Sequence, residues 1–264
     1  MSLNNRIALV TGAARGIGLA TAEKLAASGA TVIMNDLDAE PLNAAAERIP
    51  QAQPIPGDLT APEFPDQLIA TALEQHGRLD ILVNNAGYVW NSAVHNHSDE
   101  QWQAMLDMHA TAPFRLLRAY GRWLRQTGPE EVARKVVNVS SVAGLFGAAT
   151  QLGYSAGKAA VIGITRTLAK EWGRFNVTVN AVAFGHIETR LTQPYSDAPP
   201  TIDVDGRDYR VGLSEAQIAQ QRTMIPLGRS GTPQDAANAL YLFCAPESDY
   251  ISGEILVCSG GLRI

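Results

Sequence analysis

The feature that most constrains the fold is a regular alternation of short apolar runs with longer segments of helical periodicity. Residues 7–10 and 81–83 are apolar at successive positions, and residues 177–182 form a further strand candidate that is rich in valine. Such runs are typical of strands that are covered on both faces of a sheet. Because a helical pattern lies between one strand and the next, the sequence predicts an α/β fold. We expect a Rossmann-type, doubly wound parallel sheet of about seven strands.

The chain is expected to form a single domain over residues 1–264. Its composition, 46% hydrophobic and 18% charged, is globular, and we find no internal repeat or low-complexity linker. A net charge of −5 without a Lys/Arg cluster argues against a nucleic-acid partner. The two cysteines and five histidines lack the spacing of a metal site, so no metal is expected.

A cytoplasmic location without membrane association is the expectation from the remaining patterns. The first residues contain neither the apolar region of a signal peptide nor the composition of a transit peptide. No apolar run reaches the ~18 residues that a membrane-spanning helix needs.

One segment, residues 187–227, breaks the alternation. Before Ser214 it contains five prolines and glycines and little periodicity, and at Ser214 a cap and a short helix are predicted. Because it follows the carboxyl end of a strand, we expect a substrate-binding lid within the domain.

A glycine-rich turn lies between the first predicted strand and the first predicted helix. Its glycines are Gly12, Gly16 and Gly18, a spacing that differs from G-x-G-x-x-G. Glycines at this place permit a tight turn and close approach to a pyrophosphate, and the helix N-terminus supplies N–H donors. The turn predicts a dinucleotide site.

Polar residues follow the next three strands, at the sheet edge where open α/β sheets bind ligands. Asp36 ends the second strand, where a carboxylate can bind the adenosine ribose. Asp58 follows the third strand and residues 84–87 follow the fourth. Asp36 would repel a 2′-phosphate, whereas Arg15 could reach one. We give Asp36 more weight and expect NAD rather than NADP.

Tyr154 and Lys158 are four residues apart and would share one face of a helix. An ammonium one turn away favours phenolate and should lower the tyrosine pKa, so that the phenol can exchange a proton with a substrate oxygen. Ser141, at the end of an apolar run, could hydrogen-bond the same oxygen.

These motifs, together with Thr11 and the closing pair Gly260 and Gly261, resemble the classical short-chain dehydrogenases/reductases over essentially the whole chain. Residues 226–229, 231–235 and 251–253 resemble the 3-oxoacyl-carrier-protein reductase type, although many alcohol and sugar dehydrogenases share them.

The resemblance implies that Tyr154 is the acid/base, that Ser141 holds the substrate oxygen and that Lys158 binds the nicotinamide ribose. It also implies a homotetramer formed through the fourth and fifth helices. Combined with the residues of the turn, the expected cofactor-binding set is Gly12, Arg15, Gly16, Ile17, Gly18, Asp36, Asp58, Leu59, Asn85, Ala86, Gly87, Tyr154, Lys158, Gly185, Ile187 and Thr189.

The sequence departs from the family pattern at two positions. His109 stands where the family has an active-site Asn, and we expect it near Lys158 in a proton relay. Phe184 replaces a Pro before Gly185, and should alter the wall beside the nicotinamide. His186, next in the chain, is expected to face solvent.

The substrate is the least defined part of the prediction. Four residues are expected to contact it: Trp90, Phe146, Gln151 and Leu152. Their mostly apolar character favours a hydrophobic small-molecule carbonyl or alcohol. A carrier protein would need a basic patch, for which Arg134, Lys135 and Arg174 are candidates, but the net charge argues against that partner.

The leading hypothesis is therefore an oxidoreductase that transfers a hydride between NAD(H) and a secondary alcohol or ketone. The alternative is an NADPH-dependent reductase of 3-oxoacyl thioesters of a carrier protein or coenzyme A. A nucleotide-sensing protein that keeps the fold without catalysis is a second alternative.

Overall fold

The computed structural model describes residues 3–196, 198–204 and 206–262. Seven of the described strands form one parallel sheet. They are β1 (Ile7–Thr11), β2 (Thr31–Asp36), β3 (Gln53–Pro56), β4 (Ile81–Asn84), β5 (Arg134–Ser141), β6 (Val177–Phe184) and β11 (Ile255–Cys258). Their order across the sheet is β3-β2-β1-β4-β5-β6-β11. The order reverses between β1 and β4, and open α/β sheets bind ligands at such a switch point. The predicted fold is confirmed.

Helices cover both faces of the sheet. They are α1 (Gly16–Ala27), α2 (Ala39–Ala46), α3 (Phe64–His76), α4 (Asp99–Leu106), α5 (Ala112–Thr127), α6 (Val142–Phe146), α7 (Leu152–Trp172), α8 (Glu215–Met224) and α9 (Pro233–Cys244). Two apolar clusters, one including Val10 and Val182 and the other Leu9 and Val179, fill the two layers. Adjacent strand residues thus point into different clusters, which explains the uninterrupted apolar runs.

The long helix expected from about residue 99 to 126 contains a π-helical turn, Asp107–Thr111, between α4 and α5. Such turns insert an extra residue into a helix and are frequent at functional sites. His109 lies in this turn.

A buried chain of side-chain hydrogen bonds joins the sheet to α7. Asn84 of β4 donates to the amide oxygen of Asn138 in β5 at 2.8 Å, and Asn138 donates to Thr165 of α7 at 2.9 Å. Thr165 in turn donates to the carbonyl of Val161 at 2.8 Å. Because each of these groups has a partner, the chain fixes α7 at one position along the sheet.

Segment 187–227 is more ordered than its sequence suggests. Its helix α8 begins where expected, with a capping box between Ser214 and Gln217. Four short strands were not predicted: β7 (Pro194–Tyr195), β8 (Thr201–Val204), β9 (Arg207–Arg210) and β10 (Leu213–Ser214). Strands β8 and β9 form an antiparallel hairpin, and β7 pairs with β10. Runs of two to four residues are too short to show a period in the sequence.

No helix within the described residues combines the length and the apolar character that crossing a membrane would require.

Candidate active site

A cavity of about 1280 Å³ opens at the carboxyl ends of the strands. It brings together every residue expected to bind the cofactor, the four expected catalytic residues, and one of the expected substrate residues. Those residues are Gly12, Arg15, Gly16, Ile17, Gly18, Asp36, Asp58, Leu59, Asn85, Ala86, Gly87, His109, Ser141, Gln151, Tyr154, Lys158, Gly185, Ile187 and Thr189.

The glycine turn is held against the end of β4. Gly12 has a φ of 64°, and a Cβ on it would lie 2.8 Å from the Cα of Ala86. A Cβ on Gly18 would collide with the carbonyl oxygen of Gly12. The Asn85 side-chain amide donates to the carbonyl of Thr11 at 2.8 Å and to that of Gly12 at 3.2 Å. Asn85 therefore shapes the turn, and the backbone N–H groups at the start of α1 remain for a pyrophosphate.

Asp36 is positioned by backbone hydrogen bonds. Its carboxylate accepts from the N–H of Ala14 at 2.9 Å and from that of Asp38 at 3.2 Å. Asp38, which was not predicted as a site residue, forms a salt bridge of 2.7 Å with Arg15. Arg15, the residue that could have reached a 2′-phosphate, is thus engaged by a second carboxylate. The signal in the sequence that could have identified Asp38 was a second aspartate two residues after Asp36.

Asp58 also lines the cavity. Its carboxylate accepts from the N–H and the hydroxyl of Thr60, each at 2.8 Å. Leu59 beside it is buried and gives this part of the cavity an apolar surface. A polar edge next to an apolar surface is suited to an adenine ring.

Ser141 and Tyr154 meet at the opposite end. Ser141 closes β5 and its hydroxyl accepts from the N–H of Ala143 at 3.1 Å. Burial raises the pKa of Tyr154, and a hydrogen bond with Ser141 opposes that rise. The expectation that Lys158 lowers the Tyr154 pKa is therefore wrong, because desolvation of the buried phenol raises that pKa.

Lys158 is 5% exposed, and its ammonium donates to the carbonyl of Val139 at 2.9 Å. The nitrogen lies 5.8 Å from the centroid of the Tyr154 ring. Burial lowers the pKa of Lys158 to about 8, so most molecules carry the charge at pH 7. The side chain is held between the end of the sheet and the phenol.

His109 lies beside Tyr154, with ring centroids 5.0 Å apart and the rings at 88°. Its Nε2 is 2.7 Å from the carbonyl oxygen of Tyr88. Since a carbonyl only accepts, Nε2 carries the proton and Nδ1 is left as a buried acceptor without a protein partner. Burial, with a smaller effect of Lys158, holds the His109 pKa well below its usual value. The imidazole is therefore neutral. It lies close to Lys158, as expected, and its relay role stays a prediction.

The substrate end differs from the expectation. Gln151 lines the cavity, whereas Phe146 and Leu152 are exposed and do not. Phe146 ends α6, where Gly147 turns the chain away. Trp90 packs behind the cavity wall, at 4.8 Å from the ring of Tyr209 in the hairpin.

Hairpin residues take the places that those side chains were expected to fill. Ile202, Tyr209 and Val211 form a small buried cluster against Tyr88 and line the cavity. The hairpin residues were missed because their contact with the loop after β4 is non-local.

Phe184 lies in the cavity wall, as expected, whereas the expectation for His186 is corrected. Phe184 is buried in the apolar core and also lines the cavity. His186 does not face solvent. It is half-buried, its Nδ1 is 2.9 Å from the hydroxyl of Ser230, and its Nε2 is buried without a partner. Burial lowers its pKa.

Comparison with known proteins decides the family. The sequence family described as Enoyl-(Acyl carrier protein) reductase matches residues 12–263. The chain belongs to the short-chain dehydrogenase/reductase family. Members of this family are NAD(P)-dependent oxidoreductases that act on CH–OH or keto groups, and the fold and motifs described above are those of such an enzyme.

Individual relatives of this short-chain dehydrogenase/reductase cover nearly the whole chain. The 3-oxoacyl-[acyl-carrier-protein] reductase FabG of Thermotoga maritima is 33% identical over 100% of both chains. The 3-oxoacyl-[acyl-carrier-protein] reductase of a Synechocystis species is 36% identical over 99% of both. A 3alpha-hydroxysteroid dehydrogenase of Mediterraneibacter gnavus is 34% identical over 100% of this chain and 99% of its own. The thioester-reductase alternative thus has more support from relatives than the leading hypothesis.

Proposed function

We propose that the protein reduces 3-oxoacyl thioesters to 3-hydroxyacyl thioesters with NADH. The observation that carries the proposal is that Ser141, Tyr154 and Lys158 line the same cavity as the glycine turn. The substrate class is supported by the relatives named 3-oxoacyl-[acyl-carrier-protein] reductases. The relatives therefore favour the substrate of the alternative, whereas the nucleotide end of the cavity favours the cofactor of the leading hypothesis.

A nicotinamide cofactor, when bound, supplies the hydride that the carbonyl carbon accepts. Tyr154 donates its proton to the carbonyl oxygen as negative charge develops there. Ser141 donates a hydrogen bond to the same oxygen. The raised pKa of Tyr154 suits a proton donor, and the positive charge of Lys158 stabilises the phenolate that remains.

The choice of NADH rests on the charges near the adenosine ribose. Two unit charges ~4 Å apart interact by about 1 kcal/mol in water and about 4 kcal/mol near a protein surface. A 2′-phosphate next to Asp36 would be disfavoured by an amount in this range. Arg15, which could offset the repulsion, is already engaged in a 2.7 Å salt bridge with Asp38.

A small-molecule thioester fits this surface better than a carrier protein. Two of the three residues that could have formed a basic docking patch are buried. Arg134 is paired with Glu130 at 3.1 Å and Lys135 with Asp249 at 2.6 Å, while Arg174 is exposed. A single exposed arginine does not make a patch for an acidic protein.

A second candidate function is the NAD(H)-linked oxidation of a hydrophobic secondary alcohol. It is favoured by the apolar and aromatic wall formed by Tyr88, Ile202 and Tyr209, and by the relative named 3alpha-hydroxysteroid dehydrogenase. In this reaction Tyr154 would accept the proton instead of donating it.

The test is a kinetic comparison of acetoacetyl-coenzyme A and a ring ketone, each with NADH and NADPH. We expect the highest kcat/KM for the thioester with NADH, and its loss in Tyr154→Phe. A preference for the ring ketone would favour the second function. Binding of cofactor without turnover of any carbonyl would support the non-catalytic alternative instead.

We also propose a homotetramer and a cytoplasmic location. Phe114 of α5 is 49% exposed and Trp102 of α4 is 38% exposed, which supports association through these helices. Light scattering that gave the mass of a monomer would contradict the tetramer.

A further inference from the structure

The start of segment 187–227 lies directly over the glycine turn. Thr189 caps a short helical turn, Arg190–Thr192, by accepting a hydrogen bond from the N–H of Leu191 at 3.3 Å. The methyl carbon of Thr189 lies 3.8 Å from the position that a Cβ on Gly16 would occupy. Arg190, the next residue, is therefore carried to the nucleotide end of the cavity.

The Arg190 guanidinium has no ion pair or hydrogen bond among the residues that the structure describes, although it is half-buried and lines the cavity. Other arginines nearby are paired, Arg15 with Asp38 and Arg222 with Glu188. A guanidinium has five N–H donors and is not deprotonated in proteins, so Arg190 can donate to an acceptor that enters the cavity.

Charges of both signs lie near Arg190. Partial burial lowers its pKa, the positive charge of Arg15 lowers it further, and Asp38 and Asp36 oppose these effects. The N-terminus of α1, with its free N–H groups and the positive end of its dipole, begins at Gly16 in the same place. A phosphate would satisfy the donors and reduce the repulsion between the two arginines.

We propose that Arg190 binds the pyrophosphate of the bound dinucleotide and thereby ties segment 187–227 to the cofactor. This inference rests on the proposed function in that it needs a nicotinamide cofactor in the cavity. The 2′-phosphate of NADPH has the same chemistry, but Thr189 over Gly16 places the start of the segment at the glycine turn, and Asp36 stands at the ribose.

The contact reaches the substrate end through Leu191. Leu191 packs against the cluster formed by Ile202, Tyr209 and Val211 of the hairpin region. An arginine held by the cofactor therefore fixes the base of the hairpin that forms the substrate wall. Arg190 is a positioning residue in this scheme, because it contacts the cofactor away from the reacting atoms.

The experiment measures dissociation constants of NADH, NADPH, ADP-ribose and adenosine by fluorescence or calorimetry. We compare wild type with Arg190→Met, which keeps an unbranched side chain but lacks the guanidinium, and with Arg190→Lys. Arg222→Met, an exposed arginine of the same segment, is the matched control. We expect Arg190→Met to weaken NADH, NADPH and ADP-ribose by about tenfold or more, as for a lost charge-assisted hydrogen bond.

Adenosine binding should not change, Arg190→Lys should restore part of the affinity for ADP-ribose, and the control should bind like wild type. Equal NADH affinity in wild type and Arg190→Met would overturn the inference, and a loss confined to NADPH would move the contact to the 2′-phosphate and overturn it as well. Failure of wild type to bind either dinucleotide would reject the proposed function instead. Equal thermal unfolding of the variants excludes a folding defect as the cause of weak binding.

Discussion

Replacing Lys158 with Met should make the protein more stable while removing its activity. The wild-type ammonium is held in the interior, where burial lowers its pKa from 10.5 to about 8. Each unit of pKa difference corresponds to about 1.4 kcal/mol. The pKa of Lys158 differs by about 2.5 between the folded and the unfolded protein, so the buried charge lowers the free energy of unfolding by about 3 kcal/mol at pH 7.

Methionine keeps an unbranched chain of similar length and carries no charge. The variant loses the 2.9 Å hydrogen bond from Lys158 to the carbonyl of Val139, which offsets about 1 kcal/mol of the gain. The expected net effect at pH 7 is a gain of about 2 kcal/mol, or a rise in Tm of about 4 to 8 °C for a chain of this size. Turnover should fall sharply, because the phenolate of Tyr154 loses its positive neighbour.

The gain should depend on pH. Below pH 8, Lys158 is protonated in both the folded and the unfolded protein, and the full cost of burial is present. Between pH 8 and 10.5 the folded protein loses this proton while the unfolded chain keeps it. Since the unfolded state then binds more protons, the wild type gains stability from this residue as the pH rises, and the advantage of the variant shrinks.

The assay is urea unfolding at one protein concentration, at pH 7 and at pH 10, of wild type, Lys158→Met and Lys170→Met. Lys170 is an exposed lysine on the same helix and serves as the control, so its replacement should change little at either pH. A variant at position 158 that is less stable than wild type at pH 7, or a gain that is the same at both pH values, would refute the reasoning.

Three further predictions concern packing, a helix cap and thiol reactivity. Gly87→Ala should destabilise the protein by about 1 to 3 kcal/mol, since the new Cβ would lie 2.5 Å from Cε1 of His109, and His109→Ala should relieve most of this loss in urea unfolding. Asp235→Asn should lower stability at neutral pH: the hydrogen bond from Arg229 holds the pKa of Asp235 far below 3.8, so its contribution is present above that pH and is lost on acidification. Cys244 should resist a thiol reagent at pH 8, because burial raises its pKa to about 12.

Each of these predictions has a defined contrary outcome. Equal costs of Gly87→Ala with and without His109 would show that the imidazole is not the obstacle. An unchanged slope of stability against acidic pH in Asp235→Asn would show that the carboxylate is not linked to folding. Labelling of Cys244 in the folded protein at the rate found in urea would contradict its burial.

Much of the fold and of the nucleotide site could be predicted from local sequence patterns. The turn from Gly12 to Gly18, Asp36 and Asp58 each lie at the carboxyl end of a strand. Their positions therefore come from short-range sequence and from the rule that parallel strands end at one edge. The same argument places Ser141 at the end of β5.

Properties that depend on contacts between distant parts of the sequence could not be predicted from local patterns. The pKa of Tyr154 is dominated by burial, which the four-residue spacing to Lys158 does not reveal. Arg134 and Lys135 were predicted to be surface cations, yet both are buried and each is paired with an exposed carboxylate, Glu130 and Asp249. The hairpin is stabilised by contacts with the loop after β4. The position of Arg190 in the cavity depends on how segment 187–227 folds over the glycine turn.

The buried chain from Asn84 through Asn138 to Thr165 has a consequence for motion during turnover. A slide of α7 by one residue would break the link to Thr165 and leave amide groups unpaired in the interior, at a cost of about 1 to 3 kcal/mol for each. Helix α7, which carries Tyr154 and Lys158, is therefore expected to keep its position during turnover. Adjustment to substrates of different size must therefore come from residues 187–227. Variants in this segment should change selectivity, whereas variants in α7 should change turnover for every substrate alike.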